Sequence, residues 1–201
     1  MNALTGIYRF ISLATVPQIS PIYFFVALFL TVKGTTVLDL FVSIAFAALI
    51  EIAYSAAYIR KAGTDIFVTQ RRERDSIFYV SIASFLVGFL VLAKIEAPYI
   101  VSVLMLAYFV NAIAAFILNT FFDKVSIHVW NVSGPSIAIL YVLGILPFIV
   151  TLLAAVLIGY SRIMLHHHTA RQVALAFIVS LPLTYLIIFY LPVLMHAISG
   201  I

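Results

Sequence analysis

Residues 161–172 read SRIMLHHHTARQ and form a polar segment between two strongly apolar runs. The flanking runs, residues 145–160 and 173–194, approach or reach the length of about 20 apolar residues that crosses a bilayer as a helix. Both runs therefore predict membrane helices, which makes the polar segment 161–172 a connection at the membrane surface. Its three consecutive histidines, flanked by two arginines, make it the first place to look for chemistry.

The composition of the whole chain is that of a membrane protein. Of its 201 residues, 65% are hydrophobic and 9% are charged, and the mean hydropathy is +1.23. A soluble domain is about 45–50% apolar and about 25% charged, so this chain lacks the polar residues to cover its own surface. We therefore predict an all-α, polytopic membrane helix bundle with six to seven transmembrane helices, forming a single integral membrane domain over residues 1–201.

Apolar runs and the polar residues that end them predict the order of the helices. Residues 1–16 contain Arg9 in a mildly amphipathic pattern and predict a short interfacial helix rather than a signal peptide. Glu51 lies inside a predicted span, where an acid is costly and is either functional or bonded to a neighbouring helix. The predicted spans cover residues 17–32, 37–59, 76–92 and 99–122. A fifth span begins with residues 123–128 and runs to about residue 142, a sixth follows a turn at residues 144–147 and reaches residue 160, and the last covers residues 173–194.

Three polar segments, residues 60–75, 123–128 and 160–172, are predicted to converge on one membrane face. Two spans separate each segment from the next, and an even number of crossings returns the chain to the same side. All eleven Lys and Arg residues except Lys33 and Lys94 would then lie on this face. The positive-inside rule would place the face in the cytoplasm. That rule accounts for the cations but not for the histidines.

The residue types on this face are those that bind and transfer phosphate. Arginine holds phosphoryl oxygens through two N–H donors, lysine adds a point charge, and small hydroxyls complete the shell. Hydrolysis also needs a nucleophile and a proton donor for the leaving oxygen. The candidate cations are Arg71, Arg74, Lys124 and Arg162, the candidate hydroxyls are Ser126 and Ser161, and the candidate proton-handling groups are His128 and His168.

Helical spacing places these residues in pairs. Lys124 and His128 are one turn apart at a predicted helix start, so both could reach one ligand. His168 and Gln172 are also one turn apart, at the start of the last span. The side-chain oxygen of Gln172 could accept a hydrogen bond from Nδ1–H of His168, leaving Nε2 to attack.

The polar segment 161–172 resembles the third motif of the type 2 phosphatidic acid phosphatase superfamily, SRxxxxxHxxxD. Ser161 and Arg162 are followed by His168 after five residues and by Gln172 after three more. The departure is Gln172, which stands where the motif has aspartate. A neutral amide can orient His168 but does not stabilise an imidazolium as a carboxylate would.

Two further stretches resemble the other motifs of that superfamily. Ser126-Ile127-His128 resembles the second motif, SGH, with Ile127 in place of glycine. The basic loop that ends in residues 71–74 takes the place of the first motif, KxxxxxxRP, without its lysine and its proline. The resemblance in helical architecture runs from about residue 60 to the C-terminus.

The resemblance implies a role for each residue. His168 would be the nucleophile that forms a phosphohistidine, and His128 would be the acid that protonates the leaving group. The reaction would be hydrolysis of a lipid phosphate or an isoprenoid (di)phosphate at the membrane, without a metal or other cofactor and without a nucleic-acid partner. The phosphoryl oxygens would be held by Arg162, Lys124, Ser126, Ser161 and an arginine of the cluster Arg71 to Arg74.

Other hypotheses fit parts of the same pattern. A non-catalytic phospholipid-binding or transport protein could keep the phosphate cradle and lose hydrolysis, as Gln172 allows. A prenyl-transferring membrane enzyme would need paired aspartate-rich motifs to hold magnesium, and only Asp65 and Asp75 flank the basic loop. The three histidines could bind a metal, although consecutive residues of a helix point in different directions.

Overall fold

The computed structural model describes residues 3–62 and 75–192, and within these ranges it consists of α-helices without β-strands. The helices are α1 (Ala3–Ala14), α2 (Ser20–Thr31), α3 (Val37–Ile44), α4 (Ile50–Ala62), α5 (Asp75–Lys94), α6 (Tyr99–Ile117), α7 (Ile127–Leu143), α8 (Ile145–Met164) and α9 (Ala170–Tyr185). Three π-helical turns join α3 to α4, extend α6 and extend α9, and they cover Ala45–Leu49, Leu118–Phe122 and Leu186–Tyr190.

Five segments are long and apolar enough to cross a membrane, as expected for a multi-pass membrane protein. They are Val37–Lys61, Asp75–Lys94, Tyr99–Phe122, Ile145–Met164 and Ala170–Tyr190. The other two predicted spans, residues 17–32 and residues 123 to about 142, correspond to α2 with 12 residues and α7 with 17. At a rise of about 1.5 Å per residue, neither reaches the roughly 30 Å of a bilayer core. Over the described residues the structure therefore has five segments long enough to span a membrane, and the predicted count of six to seven is not confirmed.

The shorter helix α7 is surrounded by protein. It packs along α8, α9 and α2, and eleven of its 17 residues are buried. Its small and polar residues explain this position, because Ser133 donates to the Val129 carbonyl and shares a hydrogen bond of 2.7 Å with Ser180 of α9. Small and hydroxyl-bearing residues let membrane helices approach closely.

Two local features fix where helices begin and end. Thr36 and Asp39 form a capping box that starts α3, with each side chain bonded to the other residue's backbone N–H. Gly144 has φ +84° and is the single residue between α7 and α8. A residue without Cβ adopts this conformation at little cost, so the chain reverses in one step and α8 packs back along α7.

Glu51 lies in the interior between α4 and α5. Its side chain is 5% exposed and accepts a hydrogen bond from the Ser81 hydroxyl. Of the two readings that the sequence allowed for this acid, the structure shows a bond to a neighbouring helix. Glu51 also lines a small pocket of about 30 Å³ beside Tyr108 and Trp130.

Candidate functional site

The loop between α8 and α9 shapes the polar segment 161–172. The helix α8 continues through Arg162 to Met164, four residues beyond the predicted end of that span. His166 then takes φ +57°, a left-handed conformation that is uncommon for residues other than glycine. The carbonyl of Arg162 accepts hydrogen bonds from the N–H groups of His167 at 3.0 Å and His168 at 3.3 Å. This closed turn fixes the position of His168 relative to the end of α8.

A second capping box starts α9. The Thr169 hydroxyl accepts from the Gln172 N–H at 3.3 Å, and Gln172 Oε1 accepts from the Thr169 N–H at 3.3 Å. The same Oε1 atom lies 3.0 Å from Nδ1 of His168. Gln172 therefore orients the imidazole, as expected from the spacing of one helical turn. His168 is 5% exposed, whereas His166 is exposed and His167 is half-buried.

Residues 123–128 contact this loop directly. Asp123 Oδ1 accepts a hydrogen bond from Nε2 of Gln172 at 3.1 Å, and Oδ2 forms an ion pair with Arg171 at 2.9 Å. Lys124 Nζ donates to the carbonyl oxygen of His167 at 3.2 Å. Two of the three polar segments that were predicted to share a face therefore meet.

Ser126 and His128 lie at the start of α7. Ser126 is the N-cap residue, yet its side chain makes no capping hydrogen bond. The hydroxyl is buried and has no hydrogen-bond partner among the residues described. His128 follows in the first turn and is 5% exposed. A serine hydroxyl at a helix N-terminus, where the backbone N–H groups point outward, is suited to an anion.

Gly159 of α8 brings the three helices together beside the site. A methyl group placed on Gly159 would lie 2.7 Å from Val173 Cγ1 and 3.3 Å from Val129 Cγ2. Val129 directly follows His128 on α7, and Val173 directly follows Gln172 on α9. The close approach at Gly159 thus lets α8 pack tightly against α7, which carries His128, and against α9, which begins just after His168.

Arg162 and Ser161 are both fully buried at the end of α8. Arg162 is the largest fully buried side chain described, and its Nη1 donates to the Ser12 hydroxyl of α1 at 2.5 Å. Ser161 donates its hydroxyl proton to the Ile158 carbonyl in its own helix at 2.7 Å. In this conformation the Ser161 proton is engaged within α8, unlike that of Ser126.

The predicted site residues thus fall into two groups. Arg71 and Arg74 lie outside the described residues. The others lie in two segments that are in contact, and they are Lys124, Ser126, His128, Ser161, Arg162, His168 and Gln172. Over residues 3–62 and 75–192, no three His, Cys, Asp or Glu side chains are grouped so that they could hold a metal ion.

Sequence reasoning did not assign Asp123 or Ser12 to the site. Asp123 directly precedes the lysine of the second motif-like stretch, so its position in the chain was a usable signal. Ser12 had no such signal, because it lies 150 residues from Arg162 in an unremarkable helix. Only the packing of α1 on α8 brings these two side chains together.

Comparisons with protein-family models, curated proteins and solved structures find no match for this chain.

Proposed function

We propose that the chain is a membrane-embedded phosphatase that hydrolyses a lipid phosphate or an isoprenoid (di)phosphate, with His168 as nucleophile. One observation carries this proposal: His168 is oriented by Gln172 in a loop that is hydrogen-bonded to residues 123–128. That segment holds a lysine, a serine and a histidine. The order and spacing of these residues resemble those of the type 2 phosphatidic acid phosphatase superfamily, to which we assign the chain as a divergent member.

The positions of Ser126, Lys124 and Arg162 support the proposal that they bind a phosphoryl group. The Ser126 hydroxyl is buried and makes no hydrogen bond within the described part of the chain. It lies at the N-terminus of α7, where the backbone N–H groups and the helix dipole favour an anion. Lys124 belongs to the same stretch, and Arg162 supplies a buried guanidinium that can hold two phosphoryl oxygens. An anion would offset the charge of these cations in a membrane protein.

The reaction would proceed in two steps. The lone pair of His168 Nε2 forms a bond to phosphorus while the bond to the leaving oxygen breaks, and the leaving oxygen takes a proton from His128. The oxygen of a water molecule then bonds to phosphorus while the bond from phosphorus to Nε2 breaks and its electron pair returns to Nε2, His128 accepts the proton of that water, and inorganic phosphate is released. Nδ1–H of His168 remains bonded to Gln172 Oε1 throughout, which keeps Nε2 directed at phosphorus.

A lipid substrate is supported by the outer side of α8. Near Arg162 this helix exposes Leu157, Tyr160 and Met164, which are 59%, 50% and 44% exposed. A contiguous apolar surface of this kind faces lipid in a membrane protein. A lipid tail could therefore remain along α8 while its phosphate enters the site.

The test is release of phosphate by the purified protein in detergent, with a chelator and without added metal. The panel contains phosphatidate, an isoprenyl phosphate and an isoprenyl diphosphate, and the variants are His168→Ala, His128→Ala and the matched control His166→Asn. We expect release that is lost in the first two variants and kept in the control. Acid-labile phosphate should accumulate on the wild type but not on His168→Ala. Release that is equal in wild type and His168→Ala would refute the nucleophile assignment.

A second candidate is a non-catalytic protein that binds or transports a phospholipid on the same scaffold. The observation in its favour is the neutral amide of Gln172 beside His168, where the motif has a carboxylate. For this candidate we expect saturable binding of lipid phosphate by wild type and His168→Ala alike, with no release from any lipid of the panel.

We propose that the site faces the cytoplasm, on the basis of the basic residues at the end of α4. The chain has no cysteine, so single cysteines can be introduced at Lys61 and Lys94, which are exposed at the ends of α4 and α5. In intact cells, an impermeant thiol reagent should modify Lys94→Cys and spare Lys61→Cys. The reverse pattern would place the site outside.

A further inference from the structure

The amide of Gln172 connects His168 to a carboxylate. Gln172 Oε1 is 3.0 Å from Nδ1 of His168, and Gln172 Nε2 is 3.1 Å from Oδ1 of Asp123. The imidazole, the amide and the carboxylate thus form one continuous chain of hydrogen bonds. Its last member comes from the segment that also carries Ser126 and His128.

The neighbours of Gln172 fix the orientation of its amide. The Thr169 N–H donates to one end at 3.3 Å, so that end is the oxygen, and the Asp123 carboxylate accepts from the other end, so that end is the nitrogen. If the amide were flipped, its NH₂ group would face the Thr169 N–H, which is also a donor. Its oxygen would then face the Asp123 carboxylate, which is also an acceptor. Because the oxygen only accepts, Nδ1 of His168 carries a proton, and in the neutral imidazole the lone pair is then on Nε2.

Asp123 is itself held in place. Its Oδ1 also accepts from the Lys124 N–H at 2.7 Å, and its Oδ2 pairs with Arg171 at 2.9 Å. The Asp123 side chain is 25% exposed and that of Arg171 is 80% exposed. An ion pair this open to water contributes little energy, so Arg171 positions the carboxylate without cancelling its charge at the buried side.

We propose that Asp123 is a positioning residue that supplies, through the Gln172 amide, the negative charge that the third motif lacks at position 172. The proposal rests on the proposed function of His168. When Nε2 bonds to phosphorus, the imidazole gains positive charge, and the amide polarised by the carboxylate strengthens the hydrogen bond to Nδ1–H. No proton leaves Nδ1, so the electron pair still passes from Nε2 to phosphorus and from the broken bond to the leaving oxygen.

A double-mutant cycle on kcat tests the proposal, with Asp123→Asn, Gln172→Asp and the double variant. Asparagine keeps an oxygen that can accept from Gln172 but removes the charge. We expect Asp123→Asn to lower kcat about tenfold with little change in KM when Gln172 is present. When residue 172 is aspartate, which would contact His168 directly, the same change should alter kcat less than about twofold.

A matched control separates the charge from capping and stability. Asp39 accepts a backbone N–H in the Thr36 capping box, and it lies at the start of α3, away from the site. Asp39→Asn should leave kcat unchanged. Equal losses from Asp123→Asn in both backgrounds of the cycle, or no loss in either, would overturn the proposal.

A second measurement does not depend on activity. In ¹⁵N-histidine NMR spectra of the detergent-solubilised protein, the ring signals that disappear in His168→Ala belong to His168. We expect them to report the Nδ1–H tautomer in the wild type and a mixture in Gln172→Ala, and the Nδ1 signal should move in Asp123→Asn. An Nε2–H tautomer in the wild type would overturn the relay. If the wild type releases no phosphate from any lipid, the proposed function falls and the catalytic role of Asp123 falls with it. If release occurs and needs His168, the cycle alone decides the role of Asp123.

Discussion

The Nη1 atom of Arg162 lies 2.5 Å from the hydroxyl oxygen of Ser12, and both side chains are fully buried. This hydrogen bond joins the first helix of the chain to the end of α8. Sequence reasoning treats residues 1–16 as an interfacial helix and gives them no part in the site. The structure instead makes α1 a support for the buried guanidinium of Arg162.

Replacing Ser12 by alanine should weaken the hold on Arg162. A hydrogen bond to a buried charged group contributes about 1.5–3 kcal/mol, so we expect a lower free energy of unfolding by about that amount. We also expect a higher KM for a lipid phosphate. Thermal unfolding in detergent and steady-state kinetics would measure both effects.

Thr15→Ala is the matched control for Ser12→Ala. The Thr15 hydroxyl donates to the carbonyl of Ile11 at 2.7 Å, within the same part of the chain. Its removal should change stability by no more than about 0.5 kcal/mol. If Ser12→Ala lowers the free energy of unfolding no more than Thr15→Ala does, the hydrogen bond between Ser12 and Arg162 does not stabilise the protein as expected.

Gly159→Ala should push α8 away from α7, which carries His128, and from α9, which follows His168. The added methyl group would meet Val173 Cγ1 at 2.7 Å, and a valine on a helix has little freedom to turn away. We expect a loss of about 1–3 kcal/mol from overpacking, together with reduced phosphate release. Thermal unfolding and the phosphate assay would measure the two effects.

The same steric argument supplies a control and a rescue for Gly159→Ala. Gly6 of α1 has no atom within 4 Å of the corresponding position, so Gly6→Ala should be neutral or slightly stabilising. Val173→Ala removes the methyl group in the way and should restore stability in the double variant. Failure of that rescue would show that Gly159 matters for another reason.

Most helix bounds could be predicted because charged residues end long apolar runs. The run at residues 99–122, for example, matches α6 with its π-helical extension. The predicted count of six to seven spans is not confirmed over the described residues, because hydropathy does not distinguish lipid from protein as the surroundings of a helix. The helix α7 is apolar enough to read as a span, yet its Ser133, Gly134 and Pro135 are buried against protein.

Site contacts could be predicted only where they are local. The bond between His168 and Gln172 was predicted from a spacing of one helical turn, and it is present although His168 lies in the loop just before Thr169, the N-cap residue of α9. The bond between Gln172 and Asp123 joins residues 49 apart, and no periodicity in the sequence encodes it. The two side chains meet only because α7 packs against α9.

Asn111 should hold α6, α7 and α9 together in the interior. Its Nδ2 donates to Thr184 Oγ1 at 2.9 Å, and its Oδ1 accepts from Trp130 Nε1 at 2.9 Å. Asn111→Leu would leave both partners without this bond, at a cost of about 1–2 kcal/mol. Trp130 is the one tryptophan of the chain, so the fluorescence emission reports on it alone. Loss of the hydrogen bond from its indole N–H to Asn111 should shift this emission to shorter wavelength.

Thr151→Val is the control for Asn111→Leu. The Thr151 hydroxyl donates to the Phe148 carbonyl within α8 at 2.8 Å. This variant should leave the emission of Trp130 unchanged. An unchanged emission in Asn111→Leu as well would argue against the bond between Asn111 and Trp130.

His166 should tolerate residues that accept a positive φ and reject those that do not. Because residue 166 has φ +57°, the free energies of unfolding of His166→Gly and His166→Asn should lie within about 1 kcal/mol of the wild-type value. His166→Val should lose about 1–3 kcal/mol, because a β-branched side chain is strained in this conformation. Thermal unfolding would rank the three variants, and a wild-type-like His166→Val would mean that the turn differs from that described.

The long-range contacts of Arg162 and Asp123 also determine when the site comes into being during synthesis. The helix α1 leaves the ribosome before α8, so Ser12 can bond to Arg162 only after 150 further residues have been synthesised. Gln172 follows last, with α9, and only then can Asp123 close the chain of hydrogen bonds to His168. A nascent chain in which α9 has not yet inserted therefore already has membrane helices but lacks the hydrogen bonds of Gln172 to His168 and Asp123.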